Sequence, residues 1–228
     1  MIEFLFLDLD DTILDFRKAE RVAIEHTMTA CGIVPSEENI SLYRKINLRH
    51  WEMLERNEID REQLKVQRFS VLFDALGIQG NAKSCSEHYV EQLSKGCYFL
   101  PGAKEAVERL AKKYRLFLAS NGNASVQAGR LSGTGLYPLF ENVFISEALG
   151  ANKPNTEFFS RAFAQIADFD PKKAMMVGDS LSSDIQGGIN AGIATCWVNP
   201  RHGPTRNGIE PDYEIEALPQ LEALLENL

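Results

Sequence analysis

Residues 4–15 read FLFLDLDDTILD, and this stretch organises the rest of the chain. Residues 3–7 are mostly apolar, which predicts a short buried β-strand. Asp8 and Asp10 follow at a spacing of two, so an extended backbone places both carboxylates on one face and turns Asp11 to the other. Buried acids are costly unless a positive charge offsets them. Mg²⁺ prefers carboxylate and carbonyl oxygens, so the stretch predicts either a divalent-cation site or acids that cap a turn.

The composition limits which partners the chain can have. Its 228 residues, 44% hydrophobic and 25% charged, suffice for one domain with a good core, or for one domain with a smaller insert. The formal net charge is −8 and there is no basic run, so a nucleic-acid backbone would be repelled. A small phosphorylated metabolite remains compatible with this charge, because it needs only a few local donors and a metal ion.

The remaining composition argues against a metal site of cysteines and against a membrane protein. The four cysteines, Cys31, Cys85, Cys97 and Cys196, are scattered without a CxxC pair, so we expect reduced, mostly buried thiols. The four histidines also lack ligand spacing. We expect no leader sequence before the first strand, and no apolar run approaches the ~20 residues of a membrane helix. We therefore expect a cytoplasmic monomer or homodimer with no membrane partner.

Two sequence patterns divide the chain. Residues 17–98 have apolar residues at helical spacing, interrupted at Asn57 among other places. The helices predicted there are 17–32, 36–56, 60–76 and 84–95. From residue 99 onward, short apolar strands alternate with amphipathic helices, which is typical of a parallel sheet covered on both faces. The sequence therefore predicts an α/β protein whose three-layer, Rossmann-like core is formed by 1–16 and 99–228 and is interrupted by an all-helical domain at 17–98.

Polar groups follow four successive strands of the predicted sheet. They are Asp8 and Asp10, then Ser120-Asn121-Gly122, then an irregular run at 146–152 that leads to Lys153-Pro154, and finally Gly178-Asp179-Ser180 with Asp184 close behind. Each of these alone is an ordinary turn or helix start. The carboxyl ends of parallel strands meet at one edge of the sheet, where ligands bind. We therefore expect the four groups to form one site.

These groups suit phosphoryl transfer. A carboxylate such as Asp8 can attack phosphorus and form an aspartyl phosphate, which divides a slow hydrolysis into two steps. Lys153 would add positive charge on the phosphoryl oxygens, and the Ser120 hydroxyl with backbone N–H groups around Asn121 would complete an anion site. Asp10 would give a proton to the leaving oxygen and later take one from water.

The sequence resembles the haloacid-dehalogenase superfamily of phosphatases over its whole length. The segment DLDDTIL at 8–14 matches that superfamily's first motif, DxDx[TV]. Ser120 matches the second motif, Lys153 the third, and GDSLSSD at 178–184 the fourth. The all-helical domain at 17–98 is similar to the small helical cap of that superfamily. True dehalogenases lack the second aspartate of the first motif, so Asp10 argues against that reaction.

The resemblance implies a role for each acid. Asp8 is the expected nucleophile and Asp10 the expected general acid and base. The expected ligands of Mg²⁺, or of Mn²⁺ as a substitute, are Asp8, the backbone carbonyl of Asp10, and Asp179. Asp184 is expected to support the metal site, either through its water shell or through Lys153.

A closer resemblance concerns the substrate. The Ser120-Asn121-Gly122 turn and the runs SEALGANKP at 146–154 and VGDSLSSDIQGGINAGIATCWVN at 177–199 look like the pyrimidine 5′-nucleotidase family. The resemblance implies hydrolysis of UMP, dUMP and dTMP. Asn47, Trp51 and Arg68 also look like the pattern of that family, which implies contacts with the base or sugar. The alternative is that Trp51 belongs to the core of the helical domain and Arg68 forms a surface or inter-helix salt bridge.

Two alternatives to a nucleotidase remain at this point. A sugar-phosphate or phosphoglycolate phosphatase could use the same scaffold, since the helical domain would determine the substrate. A non-catalytic phosphate-binding scaffold would be favoured by loss of Asp8, Asp10 or Lys153, and all three are present.

Overall fold

The structure, a computed structural model, describes residues 1–56 and 58–228, without the side chain of Glu55. The break predicted at Asn57 lies outside the described residues. The chain forms two compact units. One comprises Met1–Phe16 and Cys97–Leu228, and the other, called here the helical unit, comprises Arg17–Gly96.

A parallel β-sheet forms the centre of the first unit. Its strands are β1 (Phe4–Leu7), β2 (Arg115–Ser120), β3 (Asn142–Ile145), β4 (Ala174–Gly178), β5 (Ala194–Val198) and β6 (Tyr213–Ile215). They lie in the order β3-β2-β1-β4-β5-β6, and each strand is parallel to its neighbours. Leu7 pairs with Leu118 on one side and with Val177 on the other. Strands β2 and β3 are therefore added on one side of β1, and strands β4, β5 and β6 on the other. Such a switch point opens a crevice for ligands at the carboxyl ends of the strands.

The α-helices lie mostly where the periodicity places them. They are α1 (Phe16–Ala30), α2 (Glu37–Glu55), α3 (Arg61–Leu76), α4 (Ala82–Ser94), α5 (Ala103–Leu110), α6 (Ala124–Thr134), α7 (Ser146–Leu149), α8 (Thr156–Phe163), α9 (Gln186–Ala191) and α10 (Leu221–Leu225). None of the helices among residues 1–56 and 58–228 is long and apolar enough to cross a membrane.

The side chains of β1 point alternately to the two faces of the sheet, which gives a layer of apolar core on each face. Leu5 and Leu7 face one layer, where they pack with Val107 of α5, whereas Phe4 and Phe6 face the other and pack with Phe158 of α8. All four β1 side chains are fully buried, and burying each contributes about 1.5–3 kcal/mol. Covering both faces of the sheet in this way confirms the predicted three-layer α/β core with an all-helical insert.

Two segments differ from the prediction. The run at 146–152, expected to be irregular, begins with the single helical turn α7, which ends at Gly150 in the left-handed region (φ +71°). The sequence also predicts a helix at 183–191, whereas the structure has a π-helical turn, Leu181–Ile185, followed by α9, and the N-cap of that turn, Ser180, accepts the N–H of Ser183. Such π turns occur often at functional sites, and this one follows β4 directly.

The helical unit contains a feature that the sequence did not predict. Cys31 and Cys85 form a disulfide, with their Cα atoms 6.2 Å apart and 54 residues apart in sequence. The prediction of four reduced thiols is therefore wrong for these two and correct for Cys97 and Cys196. Spacing gave no indication of the pair, because packing of the four helices of the unit, rather than local sequence, brings residue 31 close to α4.

Candidate active site

Asp8 lies at the carboxyl end of the central strand. Its backbone N–H donates to the carbonyl oxygen of Val177 at 2.9 Å, which extends the pairing of β1 and β4 by one residue beyond Leu7. The Asp8 side chain is only 9% exposed. The sheet thus fixes this carboxylate at the switch point, almost out of reach of bulk water.

Lys153 compensates the buried acids. Its Nζ donates to Asp8 Oδ1 at 2.8 Å, to Asp184 Oδ1 at 2.6 Å and to the carbonyl oxygen of Ala119 at 2.5 Å. These three bonds use all the donors that a lysine ammonium has. Burial alone lowers the pKa of Lys153, but Asp184 and Asp8 outweigh burial and raise that pKa above its usual range. The ammonium therefore stays charged.

The side chain of Asn121 positions Lys153. Its Nδ2 donates to the Lys153 carbonyl oxygen at 2.9 Å, and its Oδ1 accepts the Lys153 N–H at 2.8 Å. Nδ2 also donates to Ser183 Oγ at 3.0 Å, on the π-helical turn. One amide thereby ties the loops after β2, β3 and β4 together, and an anion at this site would meet the backbone of Asn121 rather than its side chain.

Two further acids follow β4. Asp184 Oδ2 accepts the backbone N–H of Ser180 at 3.0 Å, and Gly178 makes room for that carboxylate, since a Cβ at Gly178 would lie 2.2 Å from Asp184 Oδ2. Asp179 is held through its backbone, because its carbonyl oxygen accepts the indole N–H of Trp197 at 2.8 Å. The glycine in Gly178-Asp179 is therefore needed for the space that Asp184 occupies.

The acids form a cluster that fits a divalent cation. One carboxylate oxygen each from Asp8, Asp179 and Asp184 lies within 4.8 Å of the others. Burial raises the pKa of Asp8 to about 7, against the opposing effect of Lys153 and with Asp184 and Asp10 adding to the rise. Burial and then Asp8 and Asp184 raise the pKa of Asp179 to about 9. Lys153 balances one of the three negative charges, and a divalent ion with a preference for oxygen ligands would balance the other two.

These shifts predict that Mg²⁺ stabilises the protein more as the pH rises. Because both folded pKa values lie above the ordinary 3.8, the metal-free folded state binds more protons than the unfolded state, and its stability falls as the pH rises toward about 9. Mg²⁺ competes with those protons for the same oxygens. We expect the increase in Tm on adding Mg²⁺ to be larger at pH about 8.5 than at pH about 6, by an amount equivalent to about 1–3 kcal/mol.

Thermal unfolding with and without Mg²⁺ at the two pH values measures this difference. Asp179→Asn is the matched variant, since it removes one carboxylate of the cluster and keeps the shape of the side chain. An increase in Tm that is independent of pH, or one that persists in Asp179→Asn, would contradict the expectation.

Ser120 is left as a hydrogen-bond donor. Its Oγ accepts the backbone N–H of Gly122 at 3.1 Å and the Nε2 of Gln127 at 3.0 Å. A hydroxyl has two acceptor lone pairs and one O–H. Since both lone pairs are used, the O–H is the group that Ser120 can still offer, and a phosphoryl oxygen is a suitable acceptor for it. A Cβ at Gly122 would lie 2.3 Å from Gln127 Nε2, so the glycine permits this approach.

Asp10 is held by a separate set of partners. Arg130 Nη1 donates to Asp10 Oδ1 in a buried ion pair, and Gln127 Nε2 donates to Asp10 Oδ2 at 2.6 Å. The Asp10 side chain is 26% exposed, whereas Arg130 is fully buried. The two acids of the first motif therefore meet different cations, Lys153 for Asp8 and Arg130 for Asp10.

Asp11 is more than an ordinary turn residue. Its backbone lies in the left-handed region (φ +58°), which is uncommon for a residue other than glycine. Its Oδ1 accepts the backbone N–H of Phe16 at 3.0 Å, at the start of α1. The side chain thus fixes the chain where it leaves the sheet.

Gln127 and Arg130 were not predicted from the sequence. They lie three residues apart on α6, which starts just after the Ser120 turn, and this spacing places them on one face of the helix. That spacing was the available indication. It is a weak indication, because a polar pair on an amphipathic helix usually marks the face toward water.

The three specificity candidates lie within the helical unit. Arg68 Nη1 donates to Asn47 Oδ1 at 3.0 Å, and Asn47 Nδ2 donates to Glu20 Oε1 at 2.9 Å. The Arg68 guanidinium also lies 4.6 Å from the ring centroid of Tyr89, and burial raises the pKa of Glu20. Asn47 and Arg68 are therefore brought together in a buried polar network, whereas Trp51 packs against an apolar cluster of Leu54, Ile59 and Leu64.

The chain is similar to known proteins over most of its length. A family model of haloacid dehalogenase-like hydrolases matches residues 5–198. The chain is 38% identical over 214 residues to the pyrimidine 5′-nucleotidase PynA of Streptococcus pneumoniae, covering 93% of this chain and 90% of that protein. It is 31% identical over 226 residues to the pyrimidine 5′-nucleotidase YjjG of Escherichia coli, covering 98% and 97% of the two chains.

A solved structure has the same fold. The HAD-hydrolase YfnB of Bacillus subtilis, solved bound to magnesium, superimposes with a TM-score of 0.93 at 33% identity, and the match covers 98% of each chain. The family match spans most of the chain, and the relatives match nearly all of it. This protein is therefore an enzyme that belongs to the haloacid dehalogenase-like hydrolase family.

Proposed function

We propose that this enzyme is a Mg²⁺-dependent phosphatase that hydrolyses the 5′-monophosphates of pyrimidine nucleosides through an aspartyl phosphate. The observation that carries the proposal is the buried Asp8 carboxylate, which accepts from the ammonium of Lys153 and lies in one cluster with Asp179 and Asp184. A nucleophile with cationic compensation and a second acid nearby is what hydrolysis of a phosphate monoester requires.

The first step transfers the phosphoryl group to the protein. An Asp8 carboxylate oxygen forms a bond to phosphorus while the bond from phosphorus to the leaving oxygen breaks. Lys153 and the Ser120 hydroxyl stabilise the charge on the phosphoryl oxygens. Asp10 gives its proton to the leaving oxygen, so the nucleoside departs as an alcohol.

The second step releases phosphate. A water molecule attacks the phosphorus of the aspartyl phosphate, and Asp10, now ionised, accepts the proton of that water. The bond from phosphorus to the Asp8 oxygen breaks, which regenerates the Asp8 carboxylate and leaves Asp10 protonated, as at the start of the cycle. Asp10 therefore acts as an acid in the first step and as a base in the second.

Asp8, the backbone carbonyl of Asp10, and Asp179 would hold Mg²⁺, with Asp184 supporting the site through its bond to Lys153. When bound, the ion reduces the repulsion between the nucleophile and the phosphate dianion. Mn²⁺ prefers similar oxygen ligands and would serve as a substitute.

The choice of pyrimidine nucleotides rests on the two relatives that are named pyrimidine 5′-nucleotidases. In this proposal the helical unit is a cap that selects the substrate, and Asn47, Trp51 and Arg68 contribute to that choice. Release of phosphate from UMP, dUMP and dTMP with Mg²⁺ and with EDTA tests the proposal. We expect metal-dependent release from these three at higher kcat/KM than from sugar phosphates or phosphoglycolate.

The outcomes distinguish the proposed reaction from the proposed substrate. Faster hydrolysis of a sugar phosphate or phosphoglycolate would keep the phosphatase reaction and replace the substrate. No metal-dependent release from any monophosphate of the panel would overturn the phosphatase itself.

Replacing Asp11 tests whether the third acid takes part in the chemistry. Asparagine tolerates the left-handed backbone and offers an oxygen to the Phe16 N–H, so Asp11→Asn is expected to keep most of the wild-type kcat/KM. Asp11→Ala removes both features and is expected to lower the free energy of unfolding by about 1–2 kcal/mol. Urea unfolding and UMP hydrolysis of the two variants measure these effects. A loss of activity greater than about tenfold, or ~1.4 kcal/mol of transition-state stabilisation, in Asp11→Asn would assign Asp11 to the reaction.

A further inference from the structure

Helix α6 presents two polar side chains to Asp10 that the proposed reaction does not use. Arg130 Nη1 donates to Asp10 Oδ1, and Gln127 Nε2 donates to Asp10 Oδ2 at 2.6 Å. Gln127 Oε1 in turn accepts from Arg130 Nη1 at 3.2 Å. Each oxygen of the Asp10 carboxylate thus has its own donor, and the two donors are bonded to each other. This arrangement leaves the carboxylate little freedom to rotate.

The burial of Arg130 indicates that its ion pair with Asp10 adds little to the free energy of unfolding. Arg130 is fully buried, and taking a guanidinium out of water costs more than its pairing usually returns, so an apolar side chain of similar size would pack there at lower cost. Asp10 is 26% exposed and could be solvated without Arg130. A buried cation beside a carboxylate that does not need one points to a role in placing the carboxylate.

Gln127 connects Asp10 to the anion site. The same Nε2 that donates to Asp10 Oδ2 also donates to Ser120 Oγ at 3.0 Å. One amide nitrogen therefore sets the distance between the acid and base of the reaction and the hydroxyl that meets the phosphoryl group.

The start of α6 is itself fixed. Asn123 Oδ1 accepts the N–H of Val126 at 3.1 Å as the N-cap, and Glu147 Oε2 accepts the N–H of Ala124 at 2.7 Å. A helix that is anchored at its first turn holds Gln127, one turn further along, at a defined position.

We propose that Arg130 and Gln127 are positioning residues of this enzyme, which hold Asp10 at the place where it transfers a proton to and from the reacting oxygens. A carboxylate offers about four lone-pair sites, so each Asp10 oxygen keeps a lone pair for that proton while it accepts from α6. The inference rests on the proposed function, because Asp10 is the acid and base only if the enzyme is a phosphatase.

Leaving-group dependence tests the inference. Nucleoside monophosphates release an alkoxide oxygen that must be protonated, whereas p-nitrophenyl phosphate releases a phenolate that leaves without an acid. We expect Arg130→Met to lower kcat/KM for UMP about 100-fold, which is the lower end of what an acid contributes, and to lower kcat/KM for p-nitrophenyl phosphate less than about fivefold. Arg130→Lys keeps a cation beside Asp10 and should recover part of the loss for UMP. Gln127→Leu should show the same selectivity as Arg130→Met.

Controls separate positioning from folding. Arg115→Met makes the same substitution at the start of β2, at the other end of the strand from Ser120, where Arg115 pairs with Glu141. This variant should leave kcat/KM unchanged for both substrates. In an Asp10→Asn background, Arg130→Met should cause little further loss with UMP, because the group that it positions is gone. Thermal unfolding of each variant checks that the fold is retained.

The contradicting results are distinct. Equal losses for UMP and p-nitrophenyl phosphate in both Arg130→Met and Gln127→Leu, with no recovery in Arg130→Lys, would assign the residues a structural role and overturn the inference alone. Unchanged kinetics in both variants would overturn it as well. The wild-type protein could also fail to hydrolyse UMP, other alkyl phosphates and p-nitrophenyl phosphate in the presence of Mg²⁺. That result would overturn the proposed function, and the inference with it.

Discussion

Asp8→Asn is expected to lower kcat for UMP by on the order of 10⁴-fold or more, since removing a nucleophile eliminates the covalent route altogether. The amide keeps the shape of the side chain and its place at the end of β1, where backbone pairing with Val177 does not depend on the side chain. Asp10 and Ser120 keep their own hydrogen-bond partners. The loss would therefore arise at one atom rather than from a rearranged site.

The stability of the same variant should change in the opposite direction. Burial holds the pKa of Asp8 near 7 despite Lys153, which means that the ionised carboxylate is unfavourable in the metal-free fold at higher pH. Asparagine removes that charge, so metal-free Asp8→Asn should unfold at the same temperature as the wild type or higher at pH about 8. A lower activity with an unchanged or higher Tm would show that a functional charge is kept at the expense of stability.

Steady-state UMP hydrolysis and thermal unfolding measure both effects. Asp168→Asn is a matched control, because Asp168 is exposed and has a left-handed backbone (φ +56°) that asparagine tolerates. It should leave activity and Tm unchanged. Asp8→Asn with more than about 1% of wild-type kcat, equivalent to a loss of less than ~2.7 kcal/mol, would exclude Asp8 as the nucleophile.

The parts of the site that the sequence predicted are those that sheet topology places. Asp8 and Asp179 come directly after β1 and β4, Ser120 is the last residue of β2, and Lys153 lies in the connection that follows β3. Parallel strands end at one edge whatever the details of packing. An apolar run followed by a polar turn is therefore sufficient to predict which residues meet. The bond from Lys153 to Asp8 follows from this principle.

The parts that the sequence did not predict depend on packing between elements. Arg130 reaches Asp10 from the middle of a helix, across 120 residues of sequence, and no local pattern specifies which face of α6 meets the first motif. The Cys31–Cys85 disulfide has the same origin, in the packing of the helical unit. Left-handed Asp11 was missed for a different reason, because few residues other than glycine adopt that conformation.

Lys153→Met is expected to have the second large effect, on stability as well as activity. The substitution keeps the length of the side chain and removes the charge that Asp8 and Asp184 share at 2.8 Å and 2.6 Å. Breaking a buried pair by removing one partner costs about 3–5 kcal/mol, because the other charge stays buried without compensation. Here two carboxylates lose their cation, and the carbonyl oxygen of Ala119 loses a donor.

Protonation of the acids offsets part of this cost, so the loss of stability in Lys153→Met should grow as the pH rises. Without Lys153, the pKa of Asp8 rises further, and the folded state retains a proton that the unfolded state releases. Mg²⁺ should restore part of the stability, because the ion would supply positive charge to the same oxygens. Phosphate release should remain lost even with Mg²⁺, since Lys153 compensates the phosphoryl oxygens in the reaction.

Urea unfolding at two pH values, with and without Mg²⁺, separates these contributions. Lys173→Met is the matched control, because Lys173 pairs with Glu3 at the exposed end of the sheet and its removal should leave the free energy of unfolding nearly unchanged. If Lys153→Met unfolds like Lys173→Met, the acids Asp8 and Asp184 do not depend on Lys153 for charge compensation. A destabilisation that grows with pH and is partly reversed by Mg²⁺ would instead mean that the folded state tolerates this acidic cluster only when a cation balances its charge. The ammonium of Lys153 and a divalent ion would then both offset the negative charge at the end of β1.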